Sequence, residues 1–180
     1  GLVTAKKVGN AVITASLSAD GIFTANCVIT VLPNKSENIC LKSDSTLTIA
    51  DGKLLGVLPV SNTVQAVMDE IDSEELEAYS SEGKQLGEND LMETGSTLCL
   101  VDKTGKILDV VTIIVLGDVN ADGKVNNKDA SMVLRYLASK QNLGELEMLA
   151  ADVNNSHSVN VPDVSMILQY VKGMQGILNP

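Results

Sequence analysis

The chain has 180 residues, room for two or three small modules, and its 44% hydrophobic content excludes wholesale disorder. Its aromatic residues are Phe23, Tyr79, Tyr136 and Tyr170, with no Trp, too few for a ring-lined carbohydrate or nucleic-acid platform. A net charge of −10 disfavours phosphate backbones and anionic membranes and leaves cations, basic proteins and neutral partners open.

No stretch reaches the roughly 18 consecutive apolar residues of a membrane span. No charged-then-apolar leader stands at the N-terminus, which begins in mid-pattern and so says nothing of a full-length protein. Residues 1–35 carry net charge +2, residues 36–116 carry −10 and residues 117–180 carry −2, so the acidity belongs to the middle. Cys27, Cys40 and Cys99 are too few for a disulfide framework. Cys40 and Cys99 could pair, while the run Leu98-Cys99-Leu100 favours a core role for Cys99.

Residues 1–35 read as strands. Ala11–Ala15 is a short β run, Asp20-Gly21 is a turn signal, and Phe23, Ala25, Cys27, Ile29 and Val31 alternate along one face of a half-buried strand. Two strands do not make a stable domain alone. The wording Val3-Thr4-Ala5-Lys6-Lys7-Val8-Gly9, then Asp20-Gly21, then Cys27 to Pro33 resembles the C-terminal half of a bacterial immunoglobulin-like domain of group 2. That resemblance implies a piece of a longer, extracellular surface protein. The alternative is that these strands complete the sheet of the next segment.

In residues 36–116, Asp51-Gly52 joins two β runs into a hairpin. Val64, Val67, Met68 and Ile71 then recur at helical spacing, with Ser61 or Asn62 as the N-cap. Thr97–Val101 and Lys106–Leu116 form a second hairpin, and the last strand, apolar on both faces, belongs in the middle of its sheet. Asp69, Glu70, Asp72, Glu74, Glu75 and Glu77 crowd the end of the helix. They suit a cation patch or a docking face for a basic partner, but match no ligand loop, and a solvated surface is the favoured reading.

The last third repeats itself with an offset of 34 residues: Gly117 to Asp129 followed by Ala130 to Leu137, then Ala151 to Asp163 followed by Val164 to Val171. Calcium takes six to eight hard oxygens, and a twelve-residue loop supplies them from positions 1, 3, 5, 7, 9 and 12. In the first copy these are Asp118, Asn120, Asp122, the Lys124 carbonyl, Asn126 and Asp129, with Gly123 at the tight turn. In the second they are Asp152, Asn154, Ser156, the Ser158 carbonyl, Asn160 and Asp163. Ser156 replaces a carboxylate and His157 replaces the glycine, so the second site is expected to be filled but weaker. His157 must take positive φ, and no partner motif gives it a catalytic role. Val125 and Val159 are expected to meet in a short β bridge. Ala130, Val133, Leu134 and Leu137 form one apolar stripe, and Val164, Ile167, Leu168 and Val171 its twin; Leu143, Leu146 and Leu149 lie on the connecting helix between them.

Aspartate rather than glutamate at position 12, with a strand instead of a helix entering the loop, resembles a dockerin of type I pattern over residues 117–176. The resemblance implies a secreted, calcium-folded module that binds a cohesin module on a scaffoldin or at the cell surface, as in cellulosome-like assemblies. It implies partner-reading positions at Asn127, Lys128, Leu134 and Arg135, and at Val161, Pro162, Leu168 and Gln169. Leu134 and Leu168 read as core, which leaves Asn127, Lys128, Arg135, Val161, Pro162 and Gln169 for the partner. Many cellulosomal dockerins carry Ser-Thr before the aspartate, whereas this chain has Asn-Lys and Val-Pro, so its two faces differ.

Together the patterns predict a multidomain α+β chain. Residues 1–35 form an immunoglobulin-like β fragment, residues 36–116 a small α+β sheet module with one helix, and residues 117–180 an all-α dockerin with two calcium loop–helix repeats. The expected function is calcium-dependent attachment to a cohesin; the alternative is a calcium-rigidified piece of an adhesin-like surface protein with no cohesin partner. No nucleophile–base pair, glycine-rich phosphate loop or histidine cluster is present, so an enzyme is not expected.

Overall fold

The computed structural model describes residues 9–16, 24–31, 37–174, 176 and 178, which fall into two units, Gly1–Lys35 and Ser36–Pro180. In the first, β1 (Gly9–Ser16) pairs antiparallel with β2 (Thr24–Val31), Val12 facing Val28 and Ile13 facing Cys27. Two strands cannot bury a face. Val12 and Val28 are accordingly 62% and 64% exposed, and Ala25 and Cys27 are exposed too. The expected strand is formed, but at its described side chains the expected burial of one face is not seen. The two strands pair with each other in a two-stranded sheet. The stretch Val3–Val8, the Asp20-Gly21 turn, Phe23 and Leu32–Lys35 lie outside the described residues.

The second unit contains β3 (Thr48–Ala50), β4 (Lys53–Val57), β5 (Leu76–Tyr79), β6 (Thr97–Val101) and β7 (Ile107–Val115), in spatial order β3-β4-β7-β6-β5. Asp51 and Gly52 both take positive φ, the two-residue turn whose twist matches the flanking strands. Central β7 pairs parallel with β4 and antiparallel with β6, in keeping with its apolar residues on both faces. Val111, Ile113 and Val115 join Leu54, Leu98 and Leu100 in a core covered by Val64, Val67 and Ile71. Burying each such side chain contributes about 1.5–3 kcal/mol.

The helix over this core, α1 (Val64–Met68), is shorter than its apolar spacing predicts. Thr63, not Ser61 or Asn62, caps it by accepting from the Ala66 amide, and Ile71 instead bridges to Leu41. The acidic run starts at the end of α1, where Asp69 is the C-cap, and extends well past it. It runs through Glu75, whose φ is +60°, into β5, an outer strand absent from the sequence reading. Cys40 is exposed and Cys99 buried, and no disulfide joins them.

Three further helices follow: α2 (Asn127–Leu137), α3 (Glu145–Ala151) and α4 (Val161–Val171). Val119, Ala130, Val133, Ala151, Val153, Val164 and Ile167 form their shared core. Leu134 is not part of it, being 50% exposed: α2 packs chiefly against α4, which covers only a narrow stripe of it. Val125 and Val159 pack at the margin of this core, but no β bridge joins them.

The expectation of a separate all-α module is wrong. Residues 117–172 share one unit and one mixed α+β fold with the five-stranded sheet, to which they add three of the four helices among the described residues. The connecting helix α3 is the reason: it gives Ala151 to the helical core and also packs on β7. The Gly117 amide donates to the Ala150 carbonyl at 2.8 Å, and Lys53 on β4 pairs with Glu145 at 2.8 Å. Leu149 lines a cavity of about 340 Å³ together with Leu55, Ile114 and Leu116 of the sheet.

Gly117 sits where β7 leaves the sheet. Its φ is +85°, and a Cβ there would lie 3.1 Å from both Val125 methyls and 3.2 Å from Leu178. Gly117→Ala is expected to destabilise the second unit by about 1–3 kcal/mol, the usual cost of a side chain held in that backbone region. A urea unfolding curve identical to that of the unaltered protein would refute this.

Candidate metal centre

The first loop follows from short polar side chains that tie the backbone into a tight curl. Asp118 Oδ1 accepts from the Asp122 amide at 3.0 Å, and Asn120 Oδ1 accepts from the same amide at 3.0 Å. Asp122 Oδ1 accepts from the Lys124 amide at 3.1 Å. Asp129 closes the ring: Oδ1 accepts from Val119 and Asn120, and Oδ2 accepts from Asn126 at 2.8 Å. Asn126 in turn caps α2 through the Lys128 amide at 2.9 Å. All six positions expected at the first site are therefore wound into one loop.

The second loop repeats this curl. Asp152 and Asn154 accept from the Ser156 amide at 2.9 and 3.0 Å, and Asp163 Oδ2 accepts from Asn160 at 2.9 Å. Positions 4 and 6 carry positive φ in both copies: Ala121 and Gly123, then Asn155 and His157. His157 adopts the geometry of the glycine it replaces, its exposed ring meeting the Asn155 carbonyl. Ser156 bonds to Asp152 and to the Ser158 carbonyl, filling with a neutral hydroxyl the place of Asp122.

Buried charge makes these loops fit a cation. Asp118, Asp129 and Asp163 are fully buried, and among the described residues none forms an ion pair. An unpaired buried carboxylate is costly, and it responds by holding its proton. Burial pushes Asp118 up to about 6 against the hydrogen bonds that it accepts, the first from Thr94. Burial also raises Asp129 and Asp163. In the second loop Asn160 Oδ1 and Asp163 Oδ1 are buried with no hydrogen-bond partner. Among the described residues no three Asp, Glu, His or Cys side chains converge as a cluster. A cation here must therefore draw on amide and main-chain oxygens as well, the mixed hard-oxygen set that suits calcium.

Residues 116–172 match the family model of the dockerin type I domain. No curated protein and no solved structure matches the chain. The matched segment covers both loops and the helices α2, α3 and α4. Dockerin domains are non-catalytic modules that bind calcium and attach to cohesin modules, and proteins that carry them are usually extracellular or at the cell surface. No helix among the described residues is long and apolar enough to cross a membrane.

The expected partner positions fall apart by copy. Asn127, Lys128 and Arg135 line a shallow groove along α2 with Ser131 and Met132. On α4, Val161 is 65% exposed, Pro162 is exposed in the first turn, and Gln169 is half-buried. Lys128 also approaches Asp122 at 3.7 Å.

Two residues at the first loop escaped the sequence reading. The Thr94 amide donates to Asp118 Oδ2 at 2.9 Å, and Asn62 Nδ2 donates to the Gly123 carbonyl at 3.0 Å. Both come from the sheet portion, far away in sequence, and no local spacing marks them.

Proposed function

We propose that this chain belongs to a secreted, cell-surface protein and attaches it to a cohesin module in a calcium-dependent manner. The observation that carries this reading is the pair of like-wound loops holding buried, unpaired carboxylates within the dockerin match. Asp118, Asn120, Asp122, the Lys124 carbonyl, Asn126 and Asp129 would hold one ion. Asp152, Asn154, Ser156, the Ser158 carbonyl, Asn160 and Asp163 would hold a second, weaker one. Calcium supplies the countercharge that lets these oxygens stay buried. Functionally, residues 36–116 act as a supporting segment and residues 117–180 as the attaching one. The likeness of residues 1–33 to an immunoglobulin-like domain supports a surface context.

The partner face is asymmetric in this proposal. Asn127, Lys128 and Arg135 offer positive charge, and exposed Leu134 adds apolar area beside them. Val161, Pro162 and Gln169 offer a nearly neutral surface. The test is binding to the cohesins of the source organism with calcium and in chelator. Loss of binding in chelator supports the proposal. Binding to none of them would leave a calcium-rigidified structural piece of an adhesin.

The carboxylate count also fixes an order of affinities. Calorimetric titration is expected to resolve one tight and one weaker ion. Asp122→Ala should weaken the first at least about tenfold, as loss of a charged ligand removes more than 1.4 kcal/mol. Ser156→Asp should tighten the second. Two indistinguishable affinities would contradict the assignment.

A further inference from the structure

We infer that Asn62, contributed by the sheet portion, is a positioning residue for calcium in the first loop, and that the second loop has no such brace. The inference rests on the reading of residues 118–129 as a calcium site and goes beyond it by assigning control of that site to a residue outside the dockerin match.

Asn62 is only 2% exposed, and its side-chain amide donates in two directions. One bond runs to the Met92 carbonyl at 2.8 Å, the other to the Gly123 carbonyl at 3.0 Å. Its main-chain carbonyl accepts from the Met92 amide at 2.7 Å. Asn62 thus staples the segment around Met92 to the turn of the loop.

Both ends of that staple lead to expected ligands. The Gly123 carbonyl belongs to the peptide whose N–H, that of Lys124, donates to Asp122 Oδ1, so fixing it orients Asp122. The Gly123 amide donates to Asp118 Oδ2 at 3.2 Å. Two residues beyond Met92, the Thr94 amide donates to that same oxygen. Thr94 is itself held to β7, its hydroxyl donating to the Val115 carbonyl and accepting from the Val115 amide. The contact is close: a Cβ at Gly123 would lie 3.5 Å from Leu91 Cβ and 3.7 Å from the Met92 carbonyl.

The second loop lacks the equivalent. His157, at the position of Gly123, is exposed, and among the described residues the Asp152 carboxylate accepts hydrogen bonds from Ser156 of its own loop, while its carbonyl accepts from Asn155. One ion would therefore sit in a loop braced from outside, the other in a loop that braces itself. Partners that orient metal ligands are worth about 10–100-fold in metal affinity. By linkage, whatever the brace adds to calcium binding, calcium adds to the brace.

The test is a calcium-buffered titration of the full chain followed by amide NMR signals, Gly123 reporting the first loop and Ser156 the second. Asn62→Ala is expected to weaken the first loop's affinity about tenfold or more, with the second unchanged. Thr63→Ala, which removes the α1 cap beside Asn62 but touches no loop atom, is expected to lower the melting temperature and leave both affinities in place. Equal weakening of both loops, no change, or the same shift from Thr63→Ala would overturn the inference. Should Asn62→Ala not fold, the unaltered protein decides by hydrogen exchange. The Met92 and Thr94 amides are expected to exchange more slowly in calcium than in chelator, and equal rates would overturn the inference. Absence of any calcium response at Gly123 in the unaltered protein would remove the calcium reading and this inference with it. A normal response that Asn62→Ala leaves unmoved would remove this inference alone.

Discussion

Excess chelator is expected to lower the melting temperature of the Ser36–Pro180 unit by roughly 8–16 °C for the loss of the first ion alone. A site with free calcium at about 1,000 times its Kd stabilises the fold by about 4 kcal/mol. Each kcal/mol moves the midpoint by about 2–4 °C in a domain of roughly this size. The fold gives this loss a wide reach. Without calcium, Asp118, Asp122 and Asp129 repel one another in a loop bonded to the sheet through Asn62 and Thr94. The transition in chelator is expected to appear both in helical circular dichroism and in the exchange of the β7 amides. An unchanged melting curve in chelator would remove calcium from the account altogether.

The second large effect concerns the partner. Lys128→Glu combined with Arg135→Glu is expected to weaken cohesin binding on the order of 100-fold, about tenfold for each charge reversed against an acidic partner surface. The two side chains stand about two turns apart on α2, beside one groove. Val161→Asp is expected to cost far less, because α4 offers no charge for an acidic partner to read. The unaltered protein's affinity should also fall as salt rises, as attraction between exposed charges is screened. Equal losses from both sets of changes, measured by surface plasmon resonance, would instead indicate an interface that uses both helices.

Local features were legible and long-range ones were not. The turn at Asp51-Gly52, the central place of β7 and the twelve-residue curl of both loops depend on residues within a few positions of one another. Each could be read from spacing. β5 could not, because Leu76-Glu77-Ala78-Tyr79 is too short and too acidic to stand out, and it is a strand only because Cys99 and its neighbours on β6 offer it a partner. Leu134 looks like core by periodicity, but how wide a stripe is covered depends on which helix packs there. The largest error has the same origin. Leu143, Leu146 and Leu149 suggested a closed helical core, yet α3 also packs on the sheet, a contact that no helical period encodes. Asn62 stood with Ser61 as one of two candidate helix caps, whereas its amide is spent on Met92 and on Gly123, far along the chain.

The acidic run from Asp69 to Glu77 has a consequence once its place in the fold is known. β5 is an outer strand of the sheet: Gln85 and Leu86 pair with its far end at Tyr79 and Ala78, which leaves the stretch leading through Glu77 as the rim that a strand from a second molecule could approach. A copy of this chain approaching rim to rim would set Glu77, and the acids that lead into β5, against their own duplicates. Like charges facing across such a seam oppose pairing, so the cluster acts as a guard against self-association. That guard weakens as added salt screens the charges.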